Sequence, residues 1–144
     1  MSLVVPFDGG ELSVAALERA TEFAAVLDEP VVAVTVVRSK NDEYAREVGW
    51  LDADEPYDLD TIVGRLRDQV TAHAPAAEFV SETVDRYAPT GTVSKRIKRV
   101  AHDRNASIVV IGSDNAGHVV SSISSVGGSV AAGSTYDVLI VRQP

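Results

Sequence analysis

The chain has 144 residues, of which 45% are hydrophobic, and a formal net charge of −8 at pH 7. This length fits one domain with a buried core, and the hydrophobic content excludes a disordered chain. Such an acidic protein is a poor general binder of nucleic acid or anionic membranes, because both need clustered cations. The chain has no cysteine, which excludes disulfides, zinc thiolate sites and a cysteine nucleophile.

Two further features of the composition bear on the cell compartment. No apolar run reaches the roughly 18 residues of a spanning helix, and no basic segment leads into an apolar signal stretch, so a cytoplasmic protein is predicted. Lysine is scarce, with three residues against ten arginines, while acidic residues, alanine and valine are abundant. This composition fits a salt-loving host and also an ordinary acidic soluble protein, and both interpretations stay open.

Apolar runs of strand length alternate with segments of helical periodicity along the chain. The predicted strands are residues 3–7, 31–37, 78–84, 107–111 and 138–141. The predicted helices are residues 13–27, 58–74, 92–104 and 121–134, with Ser13 as the N-cap of the first. This alternation is typical of a single α/β domain, with a flavodoxin-like parallel sheet flanked by four helices.

Individual strands differ in the burial that their sequences predict. Pro6 lacks a backbone donor, so it is tolerated in the first strand only near the exit. Residues 31–37 are almost uniformly apolar, as expected of a strand that is buried on both faces. Residues 78–84 alternate with polar side chains, which favours an edge position. The basic residues of the third predicted helix, at 95–99 and 104, are interpreted as a solvated face.

The segment 38–57 is the least regular part of the chain. It is acidic, and we predict a loop with a short helix near residues 42–48. Tyr44, Trp50 and Tyr57 lie in or next to this loop. These aromatic side chains either hold the loop against the domain or line a ligand cleft.

Two glycine-containing segments follow strands whose carboxyl ends are expected to meet at one edge of the sheet. Phe7-Asp8-Gly9-Gly10 follows the first strand, and Gly112 opens the segment 112–117 after the fourth. Ligands of open parallel sheets bind beyond the carboxyl ends of the strands, and glycine lets a backbone approach a ligand closely. Neither a P-loop nor a Rossmann glycine motif is present. Glycine in these loops also serves simply to turn the chain, and Asp8 has an alternative role in capping the Gly9-Gly10 turn.

Residues at both ends of the chain resemble the universal stress protein family. The first part is Val-Val-Pro-Phe-Asp-Gly-Gly-Glu-Leu-Ser at 4–13, followed by an alanine-rich helix. The second is Ile-Val-Val-Ile-Gly-Ser at 108–113, and the third is Val-Leu-Ile-Val-Arg at 138–142. The resemblance covers essentially the whole chain. It implies an adenine nucleotide alpha hydrolase-like fold with strand order 3-2-1-4-5 and a small stress-response or regulatory protein.

The resemblance also implies a nucleotide site. ATP-binding members of the family carry G-x-x-G, nine residues and then G-[ST] as a phosphate loop. Asp8 matches their acidic residue at the adenine and ribose end, Val36 matches an apolar contact of adenine, and Gly112 matches the first glycine. The candidate binding residues are Asp8, Val36, Ile111, Gly112, Asp114, Asn115, Ser124, Ser125 and Val126.

Several positions depart from this phosphate loop. The second glycine falls on Asn115, the third on Ser124 and the hydroxyl position on Ser125. Ser124 adds a Cβ atom where a phosphate should approach the backbone. Asp114 adds a negative charge that would repel a phosphate at ~4 Å by ~1 to 4 kcal/mol, unless magnesium lies between them. A competing register places the later positions at Gly117 and at residues 128–129.

Three functions stay open on this basis, and no catalytic residue is assigned. One is a dimeric regulatory or interaction protein in which nucleotide binding is weak or absent. Another is a regulatory protein that binds ATP or AMP, with magnesium, in a cleft between Asp8 and Gly112. The third is a slow ATP hydrolase in which Asp114 holds the metal. The resemblance further implies a homodimer through the last strand, Val138 to Val141, together with an unidentified protein partner.

Overall fold

The computed structural model describes residues 1–89, 91–112 and 136–144, and their strands form one five-stranded parallel sheet. The strands are β1 (Ser2–Pro6), β2 (Val31–Arg38), β3 (Glu78–Val84), β4 (Ala106–Gly112) and β5 (Asp137–Val141). Their order across the sheet is β3-β2-β1-β4-β5, and each neighbouring pair is parallel. The predicted fold class and strand order are therefore confirmed.

Four helices lie within the described residues. They are α1 (Glu11–Leu27), α2 (Asp42–Glu47), α3 (Leu59–His73) and α4 (Thr92–Asp103). The short helix α2 is the one expected near residues 42–48, and Asn41 caps it by accepting a hydrogen bond from the Tyr44 N–H at 3.2 Å. The helix predicted over residues 121–134 lies outside the described residues. No described helix has the length and apolar character needed to cross a membrane.

The start of α1 differs from the sequence prediction. The N-cap is Gly10 rather than Ser13, and the helix begins at Glu11. Ser13 lies inside the first turn, where its hydroxyl is 2.8 Å from Asp8 Oδ1 and 3.0 Å from the Gly10 carbonyl oxygen. The prediction was wrong because the hydroxyl does not cap a backbone N–H of the helix. It braces the preceding turn instead.

The hydrophobic core lies on both faces of the sheet, because successive strand residues point to opposite sides. On one face, Leu3 and Val5 of β1 join a cluster with residues of α1 and α3. On the other face, Val4 joins a smaller cluster that includes Val100 and Ala101 of α4. Burial on both faces explains why β1 and β2 are nearly continuous apolar runs.

The edge strand β3 carries acidic side chains that pair with arginines of α4 and the residue after it. Arg99 Nη2 lies 2.7 Å from Glu82 Oε1, and Arg104 Nη2 lies 2.7 Å from Glu78 Oε1. Arg96 also lies 3.7 Å from Glu82. The edge position of this strand is as predicted, and part of the basic face expected to be solvated instead forms ion pairs. These pairs are partly exposed, so each is worth little stability.

Candidate functional site

The exits of β1 and β4 lie side by side and open a cavity of about 460 Å³. The two strands are parallel neighbours, with Val4 paired to Val109, so both chains leave the sheet at the same edge. Phe7 and Asp8 line the cavity after β1, and Ile111 and Gly112 line it at the end of β4. The crevice predicted between these two strand exits is therefore present in the structure.

Apolar side chains form the floor and one wall of this cavity. Val34 and Val36 contribute from β2, and Val93 and Ile97 contribute from α4. Val36, which the family resemblance matches to an apolar contact of adenine, lies in this lining. The two α4 residues were not assigned to the site from the sequence. Their spacing of four residues, which places them on one helix face, was the available signal.

The Asp8 carboxylate is held by the turn that follows β1. Its Oδ1 atom accepts hydrogen bonds from the Gly10 N–H and the Ser13 hydroxyl, each at 2.8 Å. Among the described residues, Oδ2 has no hydrogen-bond partner, and the residue is exposed in the cavity lining. The capping role considered for Asp8 is thus present, and it leaves one carboxylate oxygen available to a ligand.

The backbone on either side of Asp8 is also fixed. The buried Thr35 hydroxyl donates to the Phe7 carbonyl oxygen at 2.7 Å, and the Phe7 N–H donates to the Val34 carbonyl oxygen at 2.8 Å. Trp50 Nε1 donates to the Asp8 carbonyl oxygen at 2.7 Å. Because neighbouring carbonyls are tied to β2 and to the segment after it, the Asp8 side chain starts from a defined position.

The segment 39–58 forms a second wall, which contains Asn41, Tyr44 and Trp50. Trp50 is only 8% exposed, and its ring packs against that of Tyr44 with centroids 5.5 Å apart and an interplanar angle of 84°. Burial, and then the charges of Asp8 and Glu47, raise the pKa of the Tyr44 hydroxyl. The two aromatic residues satisfy both alternatives considered for them, since they secure the loop and line the cleft.

Hydrogen bonds from two arginines hold this segment together and attach it to α3. Arg65 of α3 donates to both carboxylate oxygens of Glu55 at 2.8 Å and to the Trp50 carbonyl oxygen at 3.0 Å. Hydrogen bonds from Arg65, and then from the Asp52 N–H, lower the pKa of Glu55 to about 2. Arg46 adds a hydrogen bond to the Glu55 carbonyl oxygen at 2.9 Å. Glu55 is therefore ionised at neutral pH and ties the segment to α3.

Gly112 has a packing role that the sequence analysis did not foresee. A Cβ atom built on this residue would overlap the backbone carbonyl of Leu12 in the first turn of α1. The absence of a side chain thus lets α1 approach the end of β4. Gly112 also lines the cavity, so this packing role stands beside the expectation that the glycine serves the approach of a ligand.

Arg38 is a charged residue of the lining that sequence reasoning missed. Its Nη1 atom donates to the carbonyl oxygens of Ala88 at 3.0 Å and of Arg86 at 3.4 Å, which joins the end of β2 to the loop after β3. Its position at the carboxyl end of a central strand was a usable signal. With Asp8 on the neighbouring strand exit, the described lining contains both a carboxylate and a guanidinium.

The residues predicted to contact the phosphates, other than Gly112, belong to the segment that follows β4. The remaining candidate residues are Asp114, Asn115, Ser124, Ser125 and Val126, and all of them lie outside the described residues. Within the ranges 1–89, 91–112 and 136–144, no group of three acidic or histidine side chains comes together that would hold a metal ion. Of the predicted binding residues, the described cavity lining therefore contains Asp8, Val36, Ile111 and Gly112.

Comparison with known proteins agrees with the fold. A crystal structure of a universal stress protein family member from Burkholderia pseudomallei is 21% identical, with a TM-score of 0.57 over 97% of this chain and 94% of that one. A universal stress protein in complex with cAMP is 23% identical, with a TM-score of 0.55 over 100% and 98% of the two chains. One from Archaeoglobus fulgidus in complex with dAMP is 21% identical, with a TM-score of 0.51 over 98% and 97%.

Comparison with curated protein sequences finds no match for this chain. The family model described as the universal stress protein family matches residues 1–142, which is nearly the entire length. This match and the parallel sheet with order β3-β2-β1-β4-β5 lead to the same assignment. The chain belongs to the universal stress protein family.

Proposed function

We propose that this protein is a regulatory member of its family that binds an adenine nucleoside monophosphate in the cavity between Asp8 and Gly112. The observation that carries the proposal is the Oδ2 atom of Asp8, which lacks a described partner and lies beside the apolar walls of a cavity of about 460 Å³. A carboxylate oxygen accepts hydrogen bonds from ribose hydroxyls, and apolar walls suit a purine. Solved structures of relatives with the same fold are complexes with cAMP and with dAMP.

A monophosphate is favoured over ATP by the sequence of the predicted phosphate loop. Asn115 and Ser124 replace two of its glycines, and Asp114 adds a negative charge. A β- or γ-phosphate near Asp114 would lose at least ~1 kcal/mol to repulsion, or about fivefold in affinity. A monophosphate brings less negative charge near the Asp114 carboxylate than ATP does, so it is repelled less. Magnesium supplied with ATP would offset part of this difference.

Binding is tested by the melting temperature of the purified protein with AMP, cAMP, dAMP, and ATP with and without magnesium. A monophosphate at ~100 times its Kd should stabilise the fold by ~2.7 kcal/mol and raise Tm by several degrees. ATP without magnesium should need at least about a fivefold higher concentration for the same rise. An unchanged Tm with every nucleotide at millimolar concentration would refute the proposal.

The matched variants for this experiment are Asp8→Asn and Asp28→Asn. Asparagine at position 8 keeps an oxygen for the Gly10 N–H and Ser13 contacts but replaces the second acceptor with a donor. The loss of a charged hydrogen bond should weaken AMP binding by about 10- to 100-fold. Asp28 is exposed at the C-terminal end of α1, where its φ of 54° suits asparagine, so its variant should bind as the wild type does.

A family member that acts only through protein contacts, with no nucleotide, is the second candidate. The departures at Asn115 and Ser124 favour it, because they remove glycines from the predicted phosphate loop. It would give the refuting result above, an unchanged Tm with every nucleotide, and the purified protein would carry no nucleotide. A nucleotide-dependent rise would exclude it.

We also propose that the chain forms a two-fold homodimer through β5. This strand is at the end of the described sheet, and Val138 is 41% exposed. Phe23 of α1, which is 38% exposed, lies beside it in a second cavity of about 380 Å³ that also includes Leu139 and Val141. An exposed apolar edge strand favours pairing with another strand. Antiparallel pairing of two β5 strands would cover it.

Light scattering at micromolar concentration tests the dimer, with twice the chain mass expected for the wild type. Val138→Lys should shift the protein toward the monomer, because a lysine on an edge strand opposes pairing. Val26→Lys is the control, since Val26 is 82% exposed on α1, and it should leave the mass unchanged. A monomeric wild type would exclude the dimer.

A further inference from the structure

Tyr44 places an aromatic ring in the wall of the cavity that is formed by the segment 39–58. The residue remains 43% exposed although its ring packs against Trp50 at 5.5 Å. It lies among the lining residues together with Asp8 and Val36. An aromatic ring that is partly exposed inside a cavity offers a flat apolar surface to a ligand.

Hydrogen bonds of residues before and after Tyr44 in the chain hold its ring in place. The Tyr44 N–H donates to Asn41 Oδ1 at 3.2 Å. After the helix, the N–H groups of Trp50 and Leu51 both donate to the Ala45 carbonyl oxygen, at 2.8 and 3.2 Å. These bonds fold the chain back over α2, so that Trp50 supports the tyrosine ring. A ring held in this way loses little conformational entropy when it binds a ligand.

Trp50 connects this wall to the backbone of Asp8. Its Nε1 atom donates to the Asp8 carbonyl oxygen at 2.7 Å, while its ring packs edge-to-face with Tyr44 at an angle of 84°. Arg65 holds the Trp50 carbonyl oxygen from α3 at 3.0 Å. One buried tryptophan therefore contacts both Asp8, whose side chain is a hydrogen-bond acceptor, and the aromatic ring of Tyr44.

We propose that Tyr44 stacks on the base of the bound nucleotide and that Trp50 is a positioning residue, which holds Tyr44 through its ring and Asp8 through its Nε1 donor. This inference rests on the proposed function and adds the group that recognises the base. Stacking is tolerant of base identity, because every base has a flat π-face. Tyr44 therefore selects ligands that carry a base over sugar phosphates that lack one.

The test uses the emission of Trp50, which is the single tryptophan of the chain. Wild-type protein is titrated with AMP and, in competition, with ribose 5-phosphate. AMP should change the emission, and ribose 5-phosphate should bind at least about tenfold more weakly, which is the size of one base–aromatic stack. Ribose 5-phosphate that competes as well as AMP would overturn the inference and leave the proposed function standing.

Two substitutions separate the ring from its hydroxyl. Tyr44→Phe keeps the ring and should retain AMP affinity within about threefold, whereas Tyr44→Ala should lose about tenfold or more. The control Tyr87→Ala removes a tyrosine that is 84% exposed and outside the cavity lining, so it should bind AMP normally. Equal AMP affinity in Tyr44→Ala and the wild type would refute the stacking role. Failure of the wild type to bind any nucleotide would instead remove the proposed function.

The positioning role of Trp50 has its own readout. Trp50→Phe keeps an aromatic ring beside Tyr44 but removes the Nε1 donor to the Asp8 carbonyl oxygen. Calorimetric titration should then show AMP and ribose 5-phosphate weakened by the same factor, because the shared sugar contact at Asp8 is displaced. An affinity loss confined to AMP would contradict this division of roles, and unchanged affinity for AMP would exclude Trp50 as a positioning residue.

Discussion

Leu66→Ala is expected to lower the free energy of unfolding by about 2 to 5 kcal/mol, the usual range for truncating a buried leucine. Leu66 lies on α3, is 1% exposed, and belongs to the larger core cluster between the helices α1 and α3 and the sheet. It also supports the site, because a Cβ atom on Gly9 would lie 3.2 Å from its Cδ2 atom. The leucine is thus directly under the turn that presents Asp8.

Urea unfolding followed by circular dichroism measures this loss. Val26→Ala on α1 is the comparison, because Val26 is 82% exposed and its truncation should change stability by no more than ~0.5 kcal/mol. A loss below 1 kcal/mol for Leu66→Ala would mean that this core collapses around the missing side chain.

The strands could be predicted because their signals are local. The almost uniformly apolar run at 31–37 predicts a strand that is buried on both faces, and β2 is an interior strand of the sheet. The polar alternation at 78–84 gave an edge strand, and β3 lies at the edge. Pro6 was placed at a strand exit, and it is the last residue of β1. The two strand predictions depend on the period of a few successive side chains, and the placement of Pro6 depends on its missing N–H; the sequence displays both directly.

The N-cap and the second wall of the site depend on contacts between distant or irregular residues, which local patterns do not contain. Serine is a common N-cap residue, which is why Ser13 was predicted to cap α1. Its hydroxyl instead hydrogen-bonds to the carboxylate of Asp8 on the other side of the turn. Trp50 donates to a carbonyl oxygen 42 positions earlier in the chain. Arg38 similarly reaches the loop after β3, 50 positions later. The predicted strand order already made the exits of these strands neighbours. Local periodicity does not tell which side chains of the irregular segments bond across them, so the individual contacts could not be assigned.

The position of Gly112 in the fold was predicted from the sequence, but its packing role was not. Its place at the end of β4, beside the exit of β1, followed from the alternating pattern and from the family resemblance. The sequence suggested a glycine there for the approach of a ligand. The atoms that would meet its Cβ belong instead to the backbone of Leu12 and Ser13 in the first turn of α1. The two roles predict different effects of an added methyl group: the packing role predicts a loss of stability, and the ligand-approach role predicts a loss of ligand binding.

Gly112→Ala is therefore expected to destabilise the protein by about 1 to 3 kcal/mol or more in the absence of any ligand, because backbone atoms must move to admit the methyl group. Thermal and urea unfolding of the ligand-free protein measure the effect. Gly64→Ala is the matched control, since Gly64 lies in α3 with no atom within 4 Å of an added Cβ. A helical glycine replaced in open space should gain up to ~1 kcal/mol. Wild-type stability in Gly112→Ala, combined with lost AMP binding, would support the ligand-approach role alone and reject the packing role.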